Sequence, residues 1–159
     1  MADKGPSVLV VDDEPAHIEA IRRAFKAAGP AFEVKSAATL RQYRELAAAD
    51  PPDIAVLDLI LPDGCAVEVL SSPPAANPFP ILIMTSHGDE GRAVQAMKAG
   101  ALDYIVKSPG AFADMPRAVE RALREWKLIQ GHIAAEQSLR KIEQERKLIS
   151  RRIMRAREE

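Results

Sequence analysis

The sequence predicts an open, doubly wound parallel α/β sheet with a long helix appended after it. Three observations carry this. Short, β-branched apolar runs alternate with amphipathic helical segments through about residue 130, which is the pattern of βαβ units. The runs are apolar almost throughout rather than at every second position, as strands are when helices cover both faces of a sheet. Charged residues close three of them: Asp12 and Asp13 after Ser7-Val8-Leu9-Val10-Val11, Asp58 after Ile54-Ala55-Val56-Leu57, and Lys107 after Tyr104-Ile105-Val106.

The expected strands are residues 7–11, 32–36, 53–58, 80–85 and 103–106. Pro15 opens the first helix, in which Ile18, Ile21, Phe25 and Ala28 follow helical spacing, and Gly29-Pro30 stops it. Leu40, Tyr43, Leu46 and Ala47 mark a second helix, closed by Asp50-Pro51-Pro52. A short third is read from Ala66, Val67, Val69 and Leu70, ending before Pro73-Pro74. Ala93, Val94, Met97 and Ala99 mark a fourth, with Gly100 as its stop.

From Pro116 onward there is no further proline and one glycine, Gly131. Val119, Ala122, Trp126, Ile129 and Ile133 recur at coiled-coil spacing. Ala135, Leu139, Ile142, Ile149, Ile153 and Ala156 form a second series one residue out of phase, with Arg146 at a seam position. This predicts one long helix with a register break at 133–139. Such a helix is not stable alone in water and needs a partner, most simply its own copy. Charge divides in the same place: residues 1–116 carry 16 acidic and 10 basic groups, residues 117–159 carry 7 and 12. The expected organisation is a core over 1–116, a last packed helix continuing outward over 117–130, and a coiled-coil signalling and dimerisation helix over 131–159.

Composition excludes several classes. Apolar content of 47% supports a real core, and 4% aromatics make it aliphatic. No apolar run approaches a membrane span, and the first residues lack the apolar stretch of a signal peptide. Cys65 is alone, so no disulfide framework exists. A cytoplasmic setting without membrane insertion fits. The basic run Arg151-Arg152-Ile153-Met154-Arg155-Ala156-Arg157 is read as the solvated face of a coiled coil rather than a nucleic-acid site, since neither a helix-turn-helix signal nor an aromatic platform accompanies it.

The strand ends carry the chemistry. In open parallel sheets they converge on one crevice, the usual ligand site. Three carboxylates there repel one another, and a hard cation such as Mg2+, with oxygen ligands only, resolves that crowding. A lysine beside them pairs with whatever anion binds.

Four motifs in order resemble the response-regulator receiver domain of two-component signalling, over roughly residues 5–130: Val10-Val11-Asp12-Asp13-Glu14-Pro15, Leu57-Asp58-Leu59-Ile60-Leu61-Pro62-Asp63-Gly64, Ile83-Met84-Thr85-Ser86, and Gly100-Ala101-Leu102-Asp103-Tyr104-Ile105-Val106-Lys107. The resemblance implies a five-stranded, flavodoxin-like sheet of order 2-1-3-4-5. It implies Asp58 as phosphoacceptor and Mg2+ held by Asp13 directly, by Asp12 through water, by Asp58 and by the Ile60 carbonyl. Lys107 would pair with Asp58 and then with a phosphoryl oxygen, Thr85 would be the switch hydroxyl, and Tyr104 the coupled aromatic. The chain departs from the family at Ser108-Pro109, where proline usually follows the lysine directly, which leaves the isomer of the Lys107–Ser108 bond open. His87 is read as a solvated loop residue, and His17 and His132 as inert positions on helix faces.

The function implied is Mg2+-dependent phosphoryl transfer from the phosphohistidine of a cognate kinase or phosphotransfer protein to Asp58, with output through the C-terminal helix and a homodimer formed by it. Two alternatives stand beside it. Residues 148–159 also resemble the start of a dimerisation helix in sensor histidine kinases, so the chain is alternatively the receiver part of a hybrid kinase; no kinase catalytic motif lies within it. The other alternative is a dimerising scaffold that is never phosphorylated.

Overall fold

A computed structural model describes residues 4–29 and 31–158. Five parallel strands form the central sheet: β1 Ser7–Val11, β2 Glu33–Ala37, β3 Ile54–Asp58, β4 Ile81–Thr85 and β5 Asp103–Val106, in the order β2-β1-β3-β4-β5. The expected boundaries hold to within one residue. β1, β3 and β4 occupy the middle and are almost completely buried. The apolar runs therefore became strands shielded on both faces. An antiparallel ladder of two residues a side, Ile60–Leu61 with Gly64–Cys65, follows β3.

Helix α1, Pro15–Ala28, buries Ile21 and Phe25 and ends at Gly29, whose φ of 118° suits glycine. Helix α2, Leu40–Ala49, is capped unusually well. Thr39 Oγ1 accepts from Gln42 N, and Gln42 Oε1 accepts in return from Ala38 N, a reciprocal capping pair. Asp63 accepts from the two remaining first-turn amides, Leu40 N at 2.9 Å and Arg41 N at 3.0 Å, and these bonds hold its carboxyl below the usual range. Asp63 thus caps a helix that precedes it in the chain. Helix α3, Glu90–Ala99, buries Ala93 and Ala96. Val94, one of the apolar positions that mark this helix, is 53% exposed, because the sheet takes the small side chains. Helix α4, Pro109–Ala113, is one short turn.

The third expected helix is not α-helical. Residues Ala66–Val69 and Pro74–Ala76 form two short 3-10 turns. Four prolines between positions 73 and 80 count against a helix: Pro73, Pro74, Pro78 and Pro80 each lack a donor N–H, and together with Pro62 they leave little room for an i→i−4 ladder.

Asn77 organises the segment instead. Its buried amide donates to the carbonyls of Ser71, Pro74 and Gly100 and accepts from Ser71 N.

 A Cβ on Gly100 would stand 1.8 Å from the Ser71 carbonyl oxygen, so this glycine permits the close approach. An open groove of about 500 Å3 remains beside the segment, lined by Tyr43, Ala47, Pro51, Val69, Phe79 and Ile81.

Helix α5 runs without interruption from Met115 to Glu158. The chain divides into two compact units between Glu125 and Trp126. In the first, Met115, Ala118, Val119 and Ala122 of α5 are buried. The second unit is helical through Glu158 and leaves Leu128, Leu139, Ile142, Leu148, Ile149, Ile153 and Met154 exposed. Gly131 costs this helix about 1 kcal/mol relative to alanine but does not break it. No helix among the described residues is long and apolar enough to cross a membrane.

Candidate functional site

Register brings the charged residues together. Val11 of β1 lies opposite Leu57 of β3, so Asp12 and Asp58 leave neighbouring strands at the same level. Thr85 of β4 lies opposite Val106 of β5, and Lys107 N donates to the Thr85 carbonyl at 2.8 Å. The lysine stem is long enough to cross the end of β4. Its Nζ stands 2.7 Å from Asp58 Oδ2 and 2.9 Å from Asp12 Oδ2.

The Asp12 side chain is inaccessible, while those of Asp58 and Lys107 are each 12% exposed. Asp13 is exposed. One oxygen from each of Asp12, Asp13 and Asp58 lies within 4.8 Å of the others. Asp12 also does local structural work: its Oδ1 accepts from Glu14 N at 2.9 Å, just ahead of α1. One carboxylate thus both closes the turn ahead of α1 and belongs to the cluster.

Burial pushes the Asp58 carboxyl above its ordinary range; the hydrogen bond and charge of Lys107 oppose this, and the charge of Asp12 adds to it. Burial alone would lower the Lys107 ammonium, but its bonds to Asp58 and Asp12 and their charges outweigh that and raise it. Both directions follow from two anions sharing one cation in a poorly solvated place. Three carboxylates facing one ammonium, with oxygen as the only donor atom, fit a hard divalent cation of the Mg2+ type.

Thr85 ends β4 and is buried, while Tyr104 on β5 is 41% exposed. Ile60 opens the short ladder after β3 with its side chain exposed, and its backbone hydrogen bond helps to hold down the Asp58 carboxyl. His87 is exposed in the turn before α3. The Lys107–Ser108 bond is trans. Ser108 caps α4 by accepting from Ala111 N at 3.0 Å, with Pro109 in the first helical position, so the residue pair that departs from the family pattern starts a helix.

His17 overturns its reading as inert. Its Nδ1 lies 3.0 Å from Asp12 Oδ2, its Nε2 lies 3.1 Å from Glu14 Oε2, and its ring packs on Phe112 at 5.0 Å between centroids. The signal was present in the sequence as a histidine in the first turn of a helix directly after two aspartates. Asn77 had no such signal.

The profile of the response regulator receiver domain family matches residues 8–120. Among curated proteins, the chain is 33% identical over 131 residues to the methanogenesis regulatory protein FilR1 of Methanothrix harundinacea, covering 80% of this chain and 29% of that one. It is 37% identical over 103 residues to the transcriptional regulatory protein KdpE of Mycobacterium tuberculosis, covering 65% and 45%. Thus it spans less than half the length of these relatives. Among solved structures, full-length FixJ from B. japonicum superposes with a TM-score of 0.67 at 30% identity, covering 78% of this chain and 60% of that one. NtrX from Brucella abortus gives 0.69 at 25% identity, covering 80% and 28%. With the sheet order, the strand-end cluster and these matches in agreement, the chain belongs to the response regulator receiver domain family of two-component signalling.

Proposed function

We propose that this receiver is a phosphoacceptor, and that Asp58 takes a phosphoryl group from the phosphohistidine of a partner kinase or phosphotransfer protein. The observation that carries the reading is the Lys107 ammonium between Asp12 and Asp58, with Asp13 exposed beside them. Asp12, Asp13, Asp58 and the Ile60 carbonyl are the proposed Mg2+ ligands, Asp12 through water. When bound, Mg2+ offsets the repulsion among the carboxylates and the charge on the incoming phosphoryl oxygens.

A carboxylate oxygen of Asp58 forms the bond to phosphorus as the bond to the donor imidazole nitrogen breaks. Lys107 exchanges its hold on the carboxylate for a phosphoryl oxygen. The Thr85 hydroxyl then turns to that group, and Tyr104, half in solvent, moves inward behind it. The exposed apolar side chains of residues 126–158 support output through the C-terminal helix, paired with a second copy.

The test is acetyl phosphate with Mg2+, read by intact mass. The native protein gains one phosphoryl group and Asp58→Asn gains none. A phosphorylated Asp58→Asn variant would assign the acceptor elsewhere.

A further inference from the structure

We propose that His17 is a positioning residue for the divalent cation: it fixes which oxygen of Asp12 faces the acidic cluster. The inference rests on the reading that this cluster takes Mg2+, and it concerns a residue outside the proposed ligand set.

The argument is an inventory of lone pairs. A carboxylate only accepts hydrogen bonds, with about two positions on each oxygen. Asp12 Oδ2 faces two donors, Lys107 Nζ at 2.9 Å and His17 Nδ1 at 3.0 Å. Both of its positions are therefore taken. Because a carboxylate cannot donate, His17 must carry a hydrogen on Nδ1. The 3.5 Å between Lys107 Nζ and that nitrogen is then the approach of two donors gathered by one oxygen. Asp12 Oδ1 accepts one bond, from Glu14 N at 2.9 Å, and keeps one position open. The carboxylate thus presents a single free lone pair, on Oδ1, in a fixed direction.

Without His17, Oδ2 would regain a position and the carboxylate could turn about its Cβ–Cγ bond. His17 itself is held on three sides. Glu14 Oε2 stands 3.1 Å from Nε2, Phe112 lies against the ring, and the backbone belongs to the first turn of α1. Partners that orient metal ligands in this way typically change affinity by about 10–100-fold when removed.

Three substitutions separate the two ring nitrogens. His17→Leu removes both ring nitrogens and keeps the bulk against Phe112. His17→Asn places an amide nitrogen where Nδ1 stands, and His17→Gln places one nearer Nε2. Mg2+ is titrated into the full chain and followed by backbone amide shifts in NMR, with Asp13→Ala as a fourth arm. The expected result is about tenfold weaker binding for His17→Leu, recovery in His17→Asn, and no recovery in His17→Gln. A native affinity in His17→Leu overturns the proposal, as does recovery by Gln in place of Asn. Weakened binding in Asp13→Ala together with native binding in His17→Leu defeats this inference alone. Native binding in Asp13→Ala defeats the Mg2+ reading and this inference with it.

Discussion

Replacing Lys107 by methionine keeps most of the stem and removes the one cation that Asp12 and Asp58 share. Removing one partner of a buried ion pair costs roughly 3–5 kcal/mol. Here the lower end applies, because Asp12 keeps the Glu14 amide and His17, and Asp58 keeps its backbone bond to Ile60. The expected loss is therefore about 3 kcal/mol. With a urea slope of about 2 kcal/mol/M, the midpoint falls by about 1.5 M. Urea unfolding is followed by circular dichroism in EDTA, so that no divalent cation substitutes for the ammonium. Adding Asp58→Asn to the same chain removes one stranded charge, so the double variant regains about half of the loss. A Lys107→Met variant within 1 kcal/mol of native, or a double variant as unstable as the single, would refute the shared-cation account.

Asp58→Asn alone raises the melting temperature at pH 7, since burial lifts the folded carboxyl above its ordinary value of 3.8 and its ionised form is disfavoured. The sign follows from linkage: stability from a raised carboxyl is full below the unfolded value and is lost as pH rises through the folded one, so the advantage of the variant vanishes in melts at low pH. Gly100→Ala loses more than 3 kcal/mol in urea, from the left-handed φ of 121° and the collision with the Ser71 carbonyl, whereas Gly131→Ala, with open space around its Cβ, gains helicity worth about 1 kcal/mol. Asn77→Asp loses at least about 2 kcal/mol despite its similar shape, because a carboxylate cannot donate to three carbonyls. Sedimentation of the full chain at tens of micromolar gives a dimer, and a chain ending at Arg124 gives a monomer; a monomeric full chain would remove the paired-helix output.

The sheet was legible because its strands are apolar on both faces and its helices carry their own stops. The cluster was legible because each charge directly follows an apolar run. Other features depended on distance in space. Nothing local to Asp63 reveals that the amides it caps belong to Leu40 and Arg41. The apolar positions Ala66, Val67, Val69 and Leu70 suggest a helix, but the segment is organised by Asn77 reaching to Gly100. His17 was misread because helical spacing gives the face of a residue but not the strand end beneath it. Val94 marks its helix by apolar character, yet the sheet side is taken by Ala93 and Ala96, which periodicity blind to size does not distinguish.

The sheet order also bears on how the protein avoids self-association through its strands. β1, β3 and β4 are the segments most able to stack with copies of themselves, being apolar, β-branched and nearly free of charge. All three lie inside the sheet. The edges fall to β2, which carries Glu33 and Lys35, and to β5, which is four residues long and begins with Asp103. At β2 the Ala37 carbonyl turns toward β1, accepting from Asp12 N. By strand alternation the Val34 carbonyl turns away, and Arg22 donates to it at 3.0 Å. An edge acceptor that another chain could have used is already occupied, and the guard residue belongs to the helix that also carries His17.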